Sequence, residues 1–316
     1  MAKNMNEQST LEPYGMNRRA LINRFMIGGV CLAATGPLLT SCAPAAPVSA
    51  SGGASGTAPL QLPLALTPDL FQHTGISVPD VLEAGTFYSR VFGGDNVNGE
   101  QEPFLRYFIE FNPGSVAIGK LGTLGSTGKT EPLIDHICVD AKPYDEAAWR
   151  ARLAEEGMPY IASGVFLGVD NIPIQVAGAE EGESLSAGEI TPMPVLYDGP
   201  ALVATNGFDH IMMLVSDVEV ATAFWQRIFG ATVVSRSDGI VWLGNGGTVR
   251  LGLREAAAGE EFGADYQAVR ARYDPEQARQ GLSELGAQIL PNLAYDPADG
   301  IRFIGPDGIE TALVPV

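Results

Sequence analysis

Histidine is scarce in this chain, with three residues in 316: His73, His136 and His210. An imidazole titrates near neutral pH and is the commonest metal ligand, so proton transfer and metal binding are the chemistries to consider. Each histidine sits in or at the start of an apolar, strand-like run: His73-Thr74-Gly75-Ile76-Ser77-Val78, Leu133-Ile134-Asp135-His136-Ile137-Cys138, and His210-Ile211-Met212-Met213-Leu214-Val215. Taken singly, a strand histidine reads as a hydrogen-bonded core residue. Cys138 lies two residues after His136 and shares its strand face, although a lone buried cysteine reads as a small hydrophobe. Gly-x-Ser-x-Gly, Cys-x-x-Cys and His-Glu-x-x-His patterns do not occur, and the glycines from Gly122 to Gly128 lack the P-loop spacing. Lys120, Tyr107 and Glu110 fall on or beside strands and can line a site, though exposed positions are the simpler reading. Glu155-Glu156 and Glu180-Glu181 read as solvated surface.

A second kind of chemistry lies at the N-terminus. Asn17-Arg18-Arg19-Ala20-Leu21-Ile22 resembles a twin-arginine export signal, and the apolar run from Phe25 to Leu39 is too short to span a bilayer as a mature helix. Leu39-Thr40-Ser41-Cys42 looks like a bacterial lipobox, which implies lipidation of Cys42. The expectation is a signal over 1–41 and a tether over 42–68 rich in Ala, Pro, Ser and Gly. It implies export by the twin-arginine machinery and anchoring by lipid to a membrane, on the periplasmic or outer face of a bacterial cell envelope. The full chain carries 19 basic and 37 acidic residues, a net of −18. Loss of Lys3, Arg18, Arg19, Arg24, Glu7 and Glu12 with the signal leaves a net of −20. So acidic a balance excludes a nucleic-acid partner. Of the three cysteines, Cys31 leaves with the signal and Cys42 carries lipid, so Cys138 has no disulfide partner.

The elements that position the histidines come from a repeat. The run from His73 to Gly93 aligns without a gap with His210 to Gly230, and Asn112–Gly119 aligns with Asn245–Gly252. Two copies are therefore expected, over 69–178 and 207–316, joined by a linker over 179–206. Each copy repeats again internally: strands at Ile134–Val139 and Tyr266–Val269 precede helices at Tyr144–Gly157 and Asp274–Gly286. A glycine after each helix suits a left-handed end. The reading is α+β, with four βαβββ modules paired into two domains of cupped mixed sheet.

Phe87-Tyr88-Ser89-Arg90-Val91-Phe92-Gly93, Phe224-Trp225-Gln226-Arg227-Ile228-Phe229-Gly230 and the turn Gly305-Pro306-Asp307-Gly308 make the chain resemble the vicinal oxygen chelate superfamily. That resemblance implies a small-molecule substrate and a divalent metal (Fe2+, Mn2+ or Zn2+). Its ligands would be a His or Gln on the first strand of a cup, a His on the fifth and a Glu on the eighth. In the first copy these positions hold His73, His136 and Gln175, a neutral amide replacing the family carboxylate. In the second they hold His210, Tyr266 and Ala312, with Glu310 two residues earlier on the same face. Two-domain extradiol dioxygenases usually carry metal in the second domain, whereas here the fuller set is in the first. The resemblance implies a dioxygenase or lyase acting on a small oxygenated compound, aromatic ones included, with no general base identified. The alternative is a non-catalytic binding or sequestering lipoprotein of the same fold.

Overall fold

Asp80, Asp145, Asp217 and Asp274 each adopt extended backbone and end a strand segment by capping a helix: α1 (Val81–Phe92), α2 (Glu146–Glu155), α3 (Val218–Phe229) and α4 (Pro275–Glu284). Their carboxylates accept first-turn N–H groups, for example Glu83 and Ala148 at 2.9 Å and Glu219 at 2.8 Å. A cap of this type stabilises its helix by about 1 kcal/mol. Gly157, Gly230 and Gly286 follow α2, α3 and α4 with φ of 71°, 67° and 85°. Gly93 departs from the expected left-handed ending: its φ is 97° but its ψ is 157°, so the chain leaves α1 extended.

The computed structural model describes residues 62–93, 98–100, 106–111, 113–123, 126–142, 144–162, 164–178, 191–192 and 194–316. The expected signal with Arg18 and Arg19, the lipidation residue Cys42 and the tether up to residue 61 lie outside them. The strands are β1 (Ala65–Val78), β2 (Asn98–Glu100), β3 (Arg106–Glu110), β4 (Ser115–Lys120), β5 (Leu133–Lys142), β6 (Tyr160–Ala162), β7 (Val165–Leu167), β8 (Pro173–Gly178) and β9 (Thr191–Pro192). They continue as β10 (Ala204–Val215), β11 (Thr232–Ser237), β12 (Ile240–Gly244), β13 (Arg250–Glu255), β14 (Gly263–Arg272), β15 (Gln288–Leu290), β16 (Ile301–Ile304) and β17 (Glu310–Pro315). β1 starts inside the expected tether, because Leu64 and Leu66 are buried and the Leu64 N–H donates to the Ile228 carbonyl at 3.0 Å. Within the expected linker, β9 pairs with β2.

Pairing confirms the four βαβββ modules. One array runs β2-β3-β4-β1-β5-β8-β7-β6 and the other β11-β12-β13-β10-β14-β17-β16-β15. In each, the outer strand of a module returns parallel to its first strand, and the two first strands meet antiparallel. A single ladder pair, Ala264 with Ile134, links the arrays. Residues 62–256 and 261–316 belong to one compact unit. Its apolar core runs through both arrays, with Phe111 on Phe208 at 4.9 Å, Trp149 on Phe229 at 6.4 Å and Phe87 on Phe303 at 6.1 Å between ring centroids. No helix of the described residues is long and apolar enough to cross a membrane.

The repeat aligned from Asn112 and Asn245 is corrected by two residues. His73 pairs with Ser115 and Gly75 with Ala117, whereas His210 pairs with Arg250 and Met212 with Gly252. Ala117 is therefore the counterpart of Gly252. A slip of two preserves the inward and outward alternation of a strand, so the pattern of apolar residues does not reveal it.

Candidate metal centre

Bulges aim the side chains of both cups. On β1 the ladder passes from Phe71 to His73 with Gln72 unpaired, and on β5 from Ile134 to His136 with Asp135 unpaired. The second array repeats both devices at Asp209 and Asp265. A bulge turns its extra residue out of strict alternation, and here each extra residue in the first array lies against the histidine that follows it. The His73 Nδ1 meets the Gln72 Oε1 at 3.0 Å, and the His136 Nδ1 hydrogen-bonds the Asp135 Oδ1. The other Asp135 oxygen accepts the Ser77 hydroxyl.

Those contacts fix both tautomers. A carboxylate and an amide oxygen accept hydrogen bonds, so each calls for a proton on the Nδ1 it meets, and the Nε2 of a ring protonated only there presents a lone pair. The two Nε2 atoms face one another at 3.2 Å, across strands whose residues are 63 apart in sequence. Gln175, on β8 beside Cys138, brings its amide against His73. All three side chains are buried. Burial pushes the His73 pKa well below its usual value; His136 and Arg106 push the same way, and Gln175 opposes them. Asp135 is held below the usual carboxylate range: burial alone would raise it, but His136 and the hydrogen bonds from His136 and Ser77 outweigh that.

Two facing lone pairs repel unless a proton or a cation lies between them. An ion about 2.1 Å from both nitrogens, a usual metal–imidazole distance, would subtend about 100°. That angle suits tetrahedral or octahedral coordination, so the imidazole pair fits a divalent ion. The third donor fits less strongly, since an amide oxygen adds no charge. Among the described residues no three His, Cys, Asp or Glu side chains come together as a metal-binding set. Cys138 does not join the donors: its thiol lies 3.7 Å from the Gln72 Oε1, and burial, with the Asp140 charge adding, pushes its pKa well up.

Gly75 makes room for this arrangement. A Cβ there would lie 2.0 Å from the His136 Cε1 and 2.2 Å from its Nδ1. Beside His136 opens a cavity of about 330 Å³, walled by Leu133, Ile161, Leu167 and Pro173, with Lys129 and Asn171 as polar lining. Of the other residues considered from the sequence, Tyr107 is buried while Glu110 and Lys120 are exposed. Arg106, whose charge acts on both His73 and Asp135, was missed. It stands two residues from Phe108, whose ring meets His73 edge-on at 6.0 Å.

The second cup satisfies itself internally. The His210 Nδ1 bonds Asp209 at 2.7 Å, as in the first cup, but its Nε2 accepts the Tyr266 hydroxyl at 2.9 Å. Tyr266 occupies the counterpart of His136, and Ala312 that of Gln175. Glu310, two residues before Ala312, has its carboxylate on Arg302. Met212, Ile240, Trp242, Tyr266, Ala268 and Ala312 fill the interior as a separate apolar cluster, against which Tyr295 packs.

Residues 207–313 match the model of the Glyoxalase/Bleomycin resistance protein/Dioxygenase superfamily. The second array thus carries a match to that superfamily's model, and the chain shares the fold of solved structures that also pair such cups. Across 79% of this chain it superposes on 93% of a triple mutant of 4-hydroxymandelate synthase from Streptomyces coelicolor, with TM-score 0.58 and 11% identity. The 2,3-dioxygenase LapB from Pseudomonas sp. KL28 is similar over 80% of this chain and 93% of its own (TM-score 0.57, 14% identity). So is the Mn(II)-bound glyoxalase from Novosphingobium aromaticivorans, over 80% of this chain and 83% of its own (TM-score 0.56, 14% identity). At these identities the likeness is one of fold.

Proposed function

We propose that the first cup holds a divalent metal on His73, His136 and Gln175 and that the protein is a metal-dependent dioxygenase or lyase acting on a small oxygenated compound, aromatic ones included. The observation that carries this reading is the pair of tautomer-fixed Nε2 atoms converging at 3.2 Å. A bound divalent ion supplies Lewis acidity, which stabilises negative charge developing on substrate oxygen. The chain's own residues do the rest. Gln72 and Asp135 keep both imidazoles oriented, as outer-shell partners do in metal sites. Leu133, Ile161, Leu167 and Pro173 give the substrate an apolar wall beside His136. The structurally similar glyoxalase from Novosphingobium aromaticivorans is Mn(II)-bound, which makes Mn2+ a first choice for loading beside Fe2+ and Zn2+.

The sequence-based expectations for the N-terminal segment complete the proposal: an exported lipoprotein, anchored through Cys42 and transported by the twin-arginine machinery. The second reading, a non-catalytic binder, draws support from the neutral Gln175 and from the self-satisfied second cup. Metal analysis of the purified chain separates the two. The enzyme reading expects close to one divalent ion per chain, lost in His73→Ala and in His136→Ala. Less than about 0.2 ion per chain, unchanged by either substitution, sinks it.

A further inference from the structure

The two arrays are related by a pseudo-two-fold axis that passes through the ladder pair of Ile134 with Ala264. Ile134 pairs with Ile76 as Ala264 pairs with Met213, and Leu133 pairs with Ser77 as Gly263 pairs with Leu214. Gly263 and Ala264 are therefore the counterparts of Leu133 and Ile134. Across the axis the first copy presents a leucine and an isoleucine to the second, which presents only a glycine and an alanine in return. The cavity of about 330 Å³ beside His136 lies on the side that receives the small pair, with Gly263 and Ala264 in its wall. A Cβ at Gly263 would meet no atom within 4 Å.

The polar rim of this cavity carries backbone strain. Asp170 and Asn171 adopt the left-handed conformation in succession, with φ of 55° and 58°. Aspartate and asparagine tolerate it better than other side chains, yet it still costs energy and persists only where the surroundings impose it. Ser216 of the second copy imposes it here: its N–H and hydroxyl donate to the Asp170 carboxylate at 2.8 and 2.6 Å. Ile174 pairs with Ile137 as Thr311 pairs with Gln267, so the counterpart of Asn171 is Gly308, with φ of 88°. Where the second copy uses the residue this backbone favours, the first places an amide at the cavity. The rest of the wall is apolar, from Leu133, Ile161, Leu167 and Pro173. Its charges are answered, Lys129 by Glu261 at 2.6 Å and Asp135 by His136 and Ser77. An ionic ligand would therefore lose its hydration without gaining a free partner among the described lining residues. An apolar cavity of about 150 Å³ accepts benzene, so this one has room for a single ring with a short substituent.

We infer that this cavity is a ligand pocket built by both copies, and that it takes an uncharged single-ring compound whose hydroxyl or carbonyl group hydrogen-bonds the Asn171 amide. The inference deepens the proposed function and rests on it only for calling the ligand a substrate; the pocket itself needs no metal. Ala264 sets the size of the ligand and Asn171 its polar end.

The test is fluorine NMR titration of the full chain, first metal-free and then loaded with Mn2+, with 4-fluorobenzyl alcohol, 4-fluorotoluene and 4-fluorobenzoate as probes. The alcohol is expected to bind the metal-free chain at least about tenfold more tightly than the benzoate. Ala264→Leu, which restores the bulk of the counterpart Ile134, weakens alcohol and toluene alike by about tenfold or more. Asn171→Gly keeps the left-handed turn; it weakens the alcohol about fivefold, the worth of one hydrogen bond, and leaves the toluene as in the parent, which also shows that the variant is folded. Undiminished alcohol affinity in either variant overturns the inference, as does benzoate binding as tight as the alcohol's. A chain that takes up Mn2+ but binds none of the three probes overturns it too and leaves the metal reading standing. A chain that binds the alcohol as expected yet takes up no Mn2+, or whose bound alcohol is not broadened by Mn2+, overturns the substrate reading alone.

Discussion

Gly75→Ala is the sharpest perturbation of the first cup. Gly75 has no positive φ, so alanine is not strained by its own backbone. The added Cβ would instead lie 2.0 Å from the His136 Cε1, 2.2 Å from its Nδ1 and 2.7 Å from the Asp135 Oδ1. Ordinary carbon contacts begin near 3.5 Å, so the imidazole must move by more than an ångström. It cannot do so and keep its hydrogen bond to Asp135. Losing a hydrogen bond to a charged group costs about 1.5–3 kcal/mol, and overpacking adds about 1–3 kcal/mol. The expected destabilisation is about 2.5–6 kcal/mol, read as a lower urea midpoint with an unchanged slope, together with loss of bound metal. The decisive measurement is the double-mutant cycle with His136→Ala. Without the imidazole only the Asp135 Oδ1 at 2.7 Å remains in the way, and the cost drops by about 1.5 kcal/mol or more. Equal costs in the two backgrounds, or parental metal content in Gly75→Ala, would refute the reasoning.

Two further expectations are independent of that one. Burial raises the Asp307 carboxyl to about 6 in the folded chain, against 3.8 as its ordinary value. The folded state therefore holds this proton more tightly, and the contribution is fully present below pH 3.8 and lost as pH rises through 6. The loss is at most about 3 kcal/mol, at 1.36 kcal/mol per pKa unit. Asp307→Asn keeps an acceptor for the Ile309 N–H, which lies 3.1 Å from Oδ1, and removes the titration. Its stability relative to the parent should rise between pH 4 and pH 7, and parallel curves across that window would refute the assignment. Gln175→Glu adds a negative charge beside His73 in the low-dielectric cup, and divalent-ion affinity should rise on the order of tenfold or more; equal affinities by competition with a chelating dye would remove Gln175 from the donor set.

Much of the fold is written locally, which is why it was legible. The aspartates before each helix, the glycines after them and the repeated apolar pattern are all short-range signals, and they led to four βαβββ modules. The choice of His73, His136 and Gln175 followed from the family resemblance, applied to those modules. The register of β13 was not legible, because sliding a strand by two leaves every residue on its original face. Nor was Gly93, whose positive φ is fixed by its type while its ψ follows the departing chain.

The family resemblance named the cup positions, His73, His136 and Gln175 in the first and His210 and Tyr266 in the second; the sequence by itself determined that inward and outward residues alternate along each strand. That follows because strand alternation is a property of the backbone alone. Only the tertiary structure decided what those side chains do for one another. It brought the His73 and His136 nitrogens to 3.2 Å across two strands and used the space at Gly75 to do so. In the other cup it spent the His210 lone pair on the Tyr266 hydroxyl. Arg106 had no meaning in the sequence, since a charge at a strand start is ordinarily solvated. Its action on His73 and Asp135 came from the pairing of β3 with β4 and of β4 with β1, which only the closing of the sheet brings about.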